Sequence, residues 1–260
     1  MRGCGLAGLY WSAVIALALP LAAIAVTSLS GETTVAFPLG PPSVRWYVAA
    51  LASPAWRAAF MLSAALAVAS GVLSVIVGGW TALAAEGLPR PWMRAGLLGC
   101  AMLPLVTPGI VHAVALRIAA ASIGLGPGPG AILLGHVIHA APYAVLMVGA
   151  RRATLPAEQL DAAHDLGAGP IAAFSYVVLP WLWPSLLGAA ALAGLTSFDD
   201  FIRSFFLGGY DPTLPVLVFA RLRSGLTPEI NAVATLVVVL AFVGGWLTDW
   251  LAQSRQHRAE

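Results

Sequence analysis

Two adjacent carboxylates, Asp199 and Asp200, stand in an otherwise apolar run, LTSFDDFIRSFF, and no other two acidic residues in the chain are neighbours. An ionisable group within a membrane span costs about 2.5–3.5 kcal/mol on insertion scales, so such groups usually face a cavity and mark a transport path. A pair of carboxylates attracts an amine cation, and Phe198, Phe201 and Phe205 offer cation–π faces beside them. The plainer reading puts both at the outer end of a span, solvated or capping the following loop. A second acidic set, Glu158, Asp161 and Asp165, recurs at i, i+3 and i+7 and forms one stripe of a helix. Leu160, Ala163 and Gly167 fall on its opposite face, where small side chains permit close packing.

The remaining candidates are weaker. His136 and His139 lie one helical turn apart, with His112 and Cys100 elsewhere in apolar stretches. Histidines at i, i+3 without a carboxylate beside them are expected to hydrogen-bond between helices rather than to hold a metal. Arg117 is a lone charge in an apolar run, expected to pair with an acid or to snorkel towards the outer face. Cys4 and Cys100 stand apart and suit neither a disulfide framework nor a metal site. No catalytic residue is expected. All 13 basic residues are arginines, so a phosphate loop, which needs lysine, cannot be built. H-E-x-x-H and G-x-S-x-G are missing too. With no lysine and few charges, nothing points to nucleic acid.

What positions these residues is a set of apolar blocks. The chain has 260 residues, 60% hydrophobic and 9% charged, against about 25% charged in soluble domains. It has too little charge to cover a surface in water, so the lipid bilayer is its solvent. A spanning helix needs about 20 apolar residues, and six stretches qualify, roughly 8–29, 58–85, 95–121, 131–150, 183–206 and 229–252. The fold class expected is all-α, one membrane domain over residues 1–260. The first apolar run exceeds a signal-peptide core and is read as an uncleaved span. Turn-rich breaks separate the blocks at 30–57, 86–94, 122–130 and 207–228. Small residues such as Ala65, Ala69, Gly78, Gly79, Gly188, Ala189, Ala190 and Gly194 recur in the second and fifth spans, as close helix packing in lipid requires. Six spans put both termini on one side. If that side is the cytoplasm, seven arginines lie inside and five outside, a slight positive-inside bias.

Residues 151–180 form the long polar connection. Pro156 suits a first helical turn and Gly167 a left-handed end; Gly169-Pro170 starts a second short helix, which is expected to stop before Pro180. An insertion of this length among short loops is expected to dock something. Asp161-Ala162-Ala163, then Gly167, then Val177-Val178-Leu179-Pro180 resembles the coupling loop of binding-protein-dependent ABC importers: E-A-A, three residues, Gly, nine residues, Ile, any residue, Leu-Pro. Asp161 stands for the family's Glu and Val177 for its Ile. Over roughly residues 55–250 the chain resembles most the second permease of spermidine/putrescine importers. The matching segments are Pro108-Gly109-Ile110-Val111, His136 with Pro142, Ser197-Phe198-Asp199-Asp200 and Thr227-Pro228-Glu229-Ile230-Asn231-Ala232. Gly109 departs from that pattern, which usually has an acidic residue there.

The resemblance implies the type I importer permease fold and a subunit that moves polyamines into the cell without being an enzyme. It implies partners: an ABC ATPase dimer, a second, non-identical permease and an extracytoplasmic substrate-binding protein. ATP and Mg would sit on the ATPase, with no cofactor on this chain. Glu158, Asp161, Ala162, Ala163, Asp165 and Gly167 would couple to the ATPase, and Asp199, Asp200, Phe198 and Phe201 would line the substrate pathway. The location implied is the bacterial inner membrane, with both termini cytoplasmic. The alternatives are an importer of another small solute or anion, and an ion-coupled secondary transporter. The latter predicts inverted repeats and broken helices with midplane carboxylates, and no repeat is visible between the halves.

Overall fold

The computed structural model describes the backbone of residues 2–34 and 40–256, and side chains within 9–34 and 40–243. The side chains of Arg2, Cys4 and Arg255, and Arg258 as a whole, lie outside the described residues. The elements, in chain order, are α1 (Arg2–Ser28), α2 (Arg45–Ala52), α3 (Pro54–Glu86), α4 (Pro91–Val106), α5 (Gly109–Ser122), α6 (Pro129–Arg152), α7 (Ala157–Asp165) and α8 (Pro170–Ala173). A π-helical turn (Phe174–Val178) then leads into α9 (Leu179–Phe198), followed by α10 (Phe201–Leu207), α11 (Leu214–Ser224) and α12 (Pro228–Gln256). Proline opens α3, α4, α6, α8 and α12, where its missing N–H has no intrahelical partner to lose. Among the described residues there is no strand, and the all-α class holds.

Among the described residues, four helices are long and apolar enough to cross a membrane: Leu9–Ser28, Pro54–Glu86, Pro129–Arg152 and Pro170–Phe198. The expected third span, 95–121, is not one helix. It is α4 and α5, bent by 112°. Pro108 is the cause: it has no N–H to donate, and it pushes Thr107 out of the helical region to φ −77°, ψ 131°. The expected fifth span, 183–206, is displaced as well. The short helix from Pro170 does not stop before Pro180 but runs through the π-helical turn into α9. Pro180 sits in the first turn of α9, and the wider turn before it absorbs the hydrogen bond that proline cannot make. At the other end α9 stops at Phe198. The expected sixth span, 229–252, lies in α12, whose apolar described part is the shorter Pro228–Val243. Two stretches read as loops, 30–57 and 207–228, contain the short helices α2 and α11.

The chain forms two compact units, residues 1–57 with 218–260, and residues 58–217. In the first, α12 packs on α1 and α2. The Trp56 indole donates to Glu229 at 2.7 Å and Asn231 donates to the Thr27 hydroxyl at 2.9 Å. In the second, α6 packs along α9, with α4, α5 and α10 also against α6. Packing is inverted relative to a soluble protein: the buried positions are largely alanine, while Leu17, Val68 and Leu195 are 71–78% exposed. Small residues explain it, Gly78, Ala190 and Gly194 of those read from the sequence among them. A Cβ on Gly71 would lie 2.7 Å from the Ala190 carbonyl oxygen, and one on Gly194 3.1 Å from that of Ala67, so α3 and α9 cross at backbone contact. Gly78 makes the same approach to Ala141 of α6. Backbones this close gain van der Waals contact that lipid cannot supply.

Candidate functional site

Residues 155–180 build one candidate region by local rules. Pro156 caps α7 in an extended conformation and Glu158 lies in its first turn, where a carboxylate complements the helix dipole. The helix ends in a Schellman arrangement: Ala168 N–H donates to the Ala163 carbonyl at 2.9 Å and Gly167 N–H to that of His164 at 2.8 Å. Gly167 takes φ +80°, a left-handed value that glycine adopts without penalty. Glu158, Asp161, Ala162 and Asp165 are exposed, whereas Leu160 and Ala163 are half-buried. Leu160 packs against a cluster containing Val148, Leu155, Val178 and Leu182. Beside this helix lies an open depression of about 600 Å³, lined in part by Gln159, Ala162, Ala163, Leu166 and Tyr176. Leu166, Ile171 and Tyr176 are 82–89% exposed, a run of large apolar groups of the kind that marks an interaction surface.

The two ends of this segment are tied together. The Arg151 guanidinium lies 4.2 Å from the centre of the Trp181 ring. Its Nε donates to the Trp181 carbonyl at 3.1 Å, and the Trp181 indole donates back to the Arg151 carbonyl at 3.2 Å. Arg152 pairs with Glu86 at the end of α3, Nε to Oε2, at 3.2 Å. Trp181 follows Pro180 at the start of α9, where an interfacial tryptophan is expected. Its engagement with Arg151, 30 residues earlier, has no local signature.

The second region is the break between α9 and α10, and there the carboxylate pair divides. Asp199 is exposed. Asp200 is buried and caps α10, accepting from the Arg203 N–H at 2.9 Å, while its other oxygen takes the Arg203 guanidinium at 2.6 Å. Arg203 also reaches the Nδ1 of His139 at 2.8 Å and that of His112 at 3.5 Å. His136 bonds Ser197 through Nδ1 at 2.7 Å and Ser204 through Nε2 at 3.2 Å. One buried network thus joins α5, α6, α9 and α10. Removing one partner of a buried ion pair typically costs about 3–5 kcal/mol, so the network fixes where the chain breaks. The histidines act as interhelical bonders, and among the described residues no group of three or more ligating side chains converges on a metal position.

Asp199 lines an open cleft of about 490 Å³ with His139, Thr196, Phe201, Ile202 and Arg203. Phe198 is half-buried and meets Phe60 edge-on at 5.8 Å, so its ring is engaged within the bundle. A Cβ on Gly109 would lie 3.2 Å from Cδ1 of Ile202, which puts the departure at position 109 beside this break. Arg203, counted from the sequence among the five outside arginines, is buried. Its i, i+3 spacing from Asp200 inside an apolar run was the available signal. Arg117 is half-buried, and its Nη1 finds no hydrogen-bond partner among the described residues. Cys100 is a free, exposed thiol.

The family model described as "Binding-protein-dependent transport system inner membrane component" matches residues 74–258. The spermidine/putrescine transport system permease protein PotC of Haemophilus influenzae is 30% identical over 218 residues, 83% of this chain and 84% of that protein. The putrescine transport system permease protein PotI of Escherichia coli K12 is 33% identical over 226 residues, 83% and 79%. Among solved structures, a chain of a bacterial ABC transporter involved in import of the acidic polysaccharide alginate superposes with a TM-score of 0.71 at 16% identity, over 95% of both chains. A chain of the methionine ABC transporter MetNI superposes at 0.62 and 19%, over 75% of this chain and 93% of that one.

Proposed function

We propose that this chain, which belongs to the family of inner membrane components of binding-protein-dependent transport systems, carries polyamines into the cell. It is an all-α, multi-pass membrane subunit with the fold of ABC importer permeases, and it is a permease rather than an enzyme. Two relatives, at 30% and 33% identity, are named for spermidine/putrescine and for putrescine, which supports the substrate class.

The observation that carries the reading is the cleft at the α9–α10 break. Asp200 is neutralised by Arg203, so Asp199 is the carboxylate there left to meet a cation. Phe201 lines the same cleft and adds an aromatic face, the pairing that ammonium groups seek. In a low-dielectric path such charge pairing is stronger than in bulk water. Ile202 occupies the space beside Gly109, so in this chain the family's second acidic position is replaced by an apolar contact and selection falls on Asp199.

Import is driven from the other end of α9. The segment 155–180 is the docking element for an ATPase dimer that holds ATP and Mg; Glu158, Asp161, Ala162, Ala163, Asp165 and Gly167 form the docked helix. An extracytoplasmic binding protein delivers substrate, and a second, non-identical permease completes the path. Both termini are then cytoplasmic. Exposed Leu166, Ile171 and Tyr176 support this assignment, since large apolar groups in a polar loop call for a partner. Uptake of labelled putrescine by vesicles holding the assembled transporter tests the reading. It should require ATP inside and the binding protein outside, and fall when Asp199 becomes Asn. If the system's binding protein retains an anion or a neutral solute and ignores polyamines, the cation reading fails.

A further inference from the structure

Within the 58–217 unit, the polar segment leaves α6 at Arg152 and re-enters the helices at Pro170, with glycines at 167 and 169 between. A push on such a segment would be absorbed by its own backbone unless its two ends were held to the spans. The structure supplies that hold. Arg151 and Trp181 exchange hydrogen bonds in both directions across the ends of α6 and α9, and the guanidinium carbon lies over the indole ring. Two hydrogen bonds running in opposite directions fix rotation as well as distance, which a single bond does not. Further along the same helices Ser185 donates to the Met147 carbonyl at 2.9 Å, continuing the α6–α9 seam. Arg152 adds the end of α3 through Glu86. Leu160 of α7 and Trp181 pack on the same apolar cluster, so the docked helix rests against the tied ends.

We propose that Arg151 and Trp181 are positioning residues for coupling: their reciprocal brace makes α6 and α9 move as one body when the 155–180 segment is displaced. The proposal rests on the reading that this segment docks the ATPase. Arg151 and Trp181 form the floor of the depression beside α7, half-buried, whereas Leu166, Ile171 and Tyr176 around it face outward.

The test uses the whole transporter, with its ATPase, second permease and binding protein, reconstituted in vesicles; ATPase retention, ATP hydrolysis and putrescine uptake are measured together. Arg151→Gln and Trp181→Leu should retain the ATPase and still hydrolyse ATP, while uptake per ATP falls about tenfold, within the range for residues that modulate coupling without touching a ligand. The double variant should lose more than either single but less than the product of the two, because the ring contact is shared while each side chain's hydrogen bond ends on the other's backbone carbonyl. Trp181→Phe preserves the ring face but not the N–H, and should lose only about threefold. Unchanged uptake per ATP in Trp181→Leu overturns the proposal, and so does loss of the ATPase in the Leu and Phe variants alike, which would make Trp181 part of the docking surface. If Trp181→Leu fails to insert, Trp181→Phe decides: normal coupling overturns the brace and a partial loss supports it. A wild-type chain that does not retain the ATPase overturns the docking reading, a failure visible before any variant is made.

Discussion

The 155–180 segment and the break at Asp199–Asp200 stand at opposite ends of the same helix, α9, about 30 Å apart for its 20 residues. Both are acidic, yet their carboxylates do different physical work. Glu158, Asp161 and Asp165 are exposed on a short helix built from a proline start and a glycine stop. Asp200 is buried, bonded to the backbone N–H and the guanidinium of Arg203, which in turn reaches His112 of α5 and His139 of α6. Exposed carboxylates are available to a partner and contribute little to the fold, while a buried paired one belongs to the fold and has little left to offer a ligand. Asp199, next in sequence to Asp200, belongs with the exposed group.

Four substitutions can break or sharpen that contrast. The largest effect is expected at Gly167. Valine there must take a left-handed backbone that β-branched residues avoid, even though its Cβ would meet open space. Gly167→Val should abolish uptake while the chain still inserts, and Gly167→Asn, which tolerates this backbone, should restore much of it. Uptake at the wild-type rate in the valine variant would remove the segment from the coupling path.

Next comes Asp200→Asn, which leaves the Arg203 charge buried without its counterion. Stability should drop by about 3–5 kcal/mol, read as a lower melting temperature in detergent and poorer assembly. Replacing Asp200 and Arg203 together by Asn and Gln should recover part of that loss. An unchanged melting temperature for the single variant would show that the ion pair does not hold the break.

Asp199→Asn is the counterpart. It should leave the melting temperature unaltered and lower putrescine uptake about tenfold, equivalent to about 1.4 kcal/mol. The contrast fails if the two aspartates give the same pattern. The smallest effect belongs to Asp161→Asn on the exposed stripe: a stability change within about 0.5 kcal/mol and a modest decrease in ATPase retention, measured by co-purification in rising salt. A large loss of stability there would mean that the stripe is packed rather than solvated.

These cases also show how much could be read without coordinates. The α7 helix, its exposed stripe and its left-handed stop follow from Pro156, Gly167 and the i, i+3, i+7 spacing, all local. The small residues of the second and fifth spans announced close packing, because glycine and alanine let backbones meet, but not which helices cross. The bend at Pro108 had a local cause that periodicity overrode: residues 95–121 are apolar throughout, and hydropathy does not register a turn of direction. The run from Pro170 into α9 was missed for a related reason, since a proline that ends one helix also suits the first turn of another.

Composition, block length and the Asp-Ala-Ala…Gly…Leu-Pro spacing therefore determined the solvent, the helical class and the family, because each depends on residues near one another in the chain or on their sum. The tertiary structure alone decided which aspartate is free, that Arg203 is buried with His139 and His112, and that Trp181 locks Arg151. Apart from the i, i+3 pair itself, those contacts join residues 30 to 91 positions apart, and a side chain's charge is neutralised or exposed by whatever packs beside it, which local spacing does not encode.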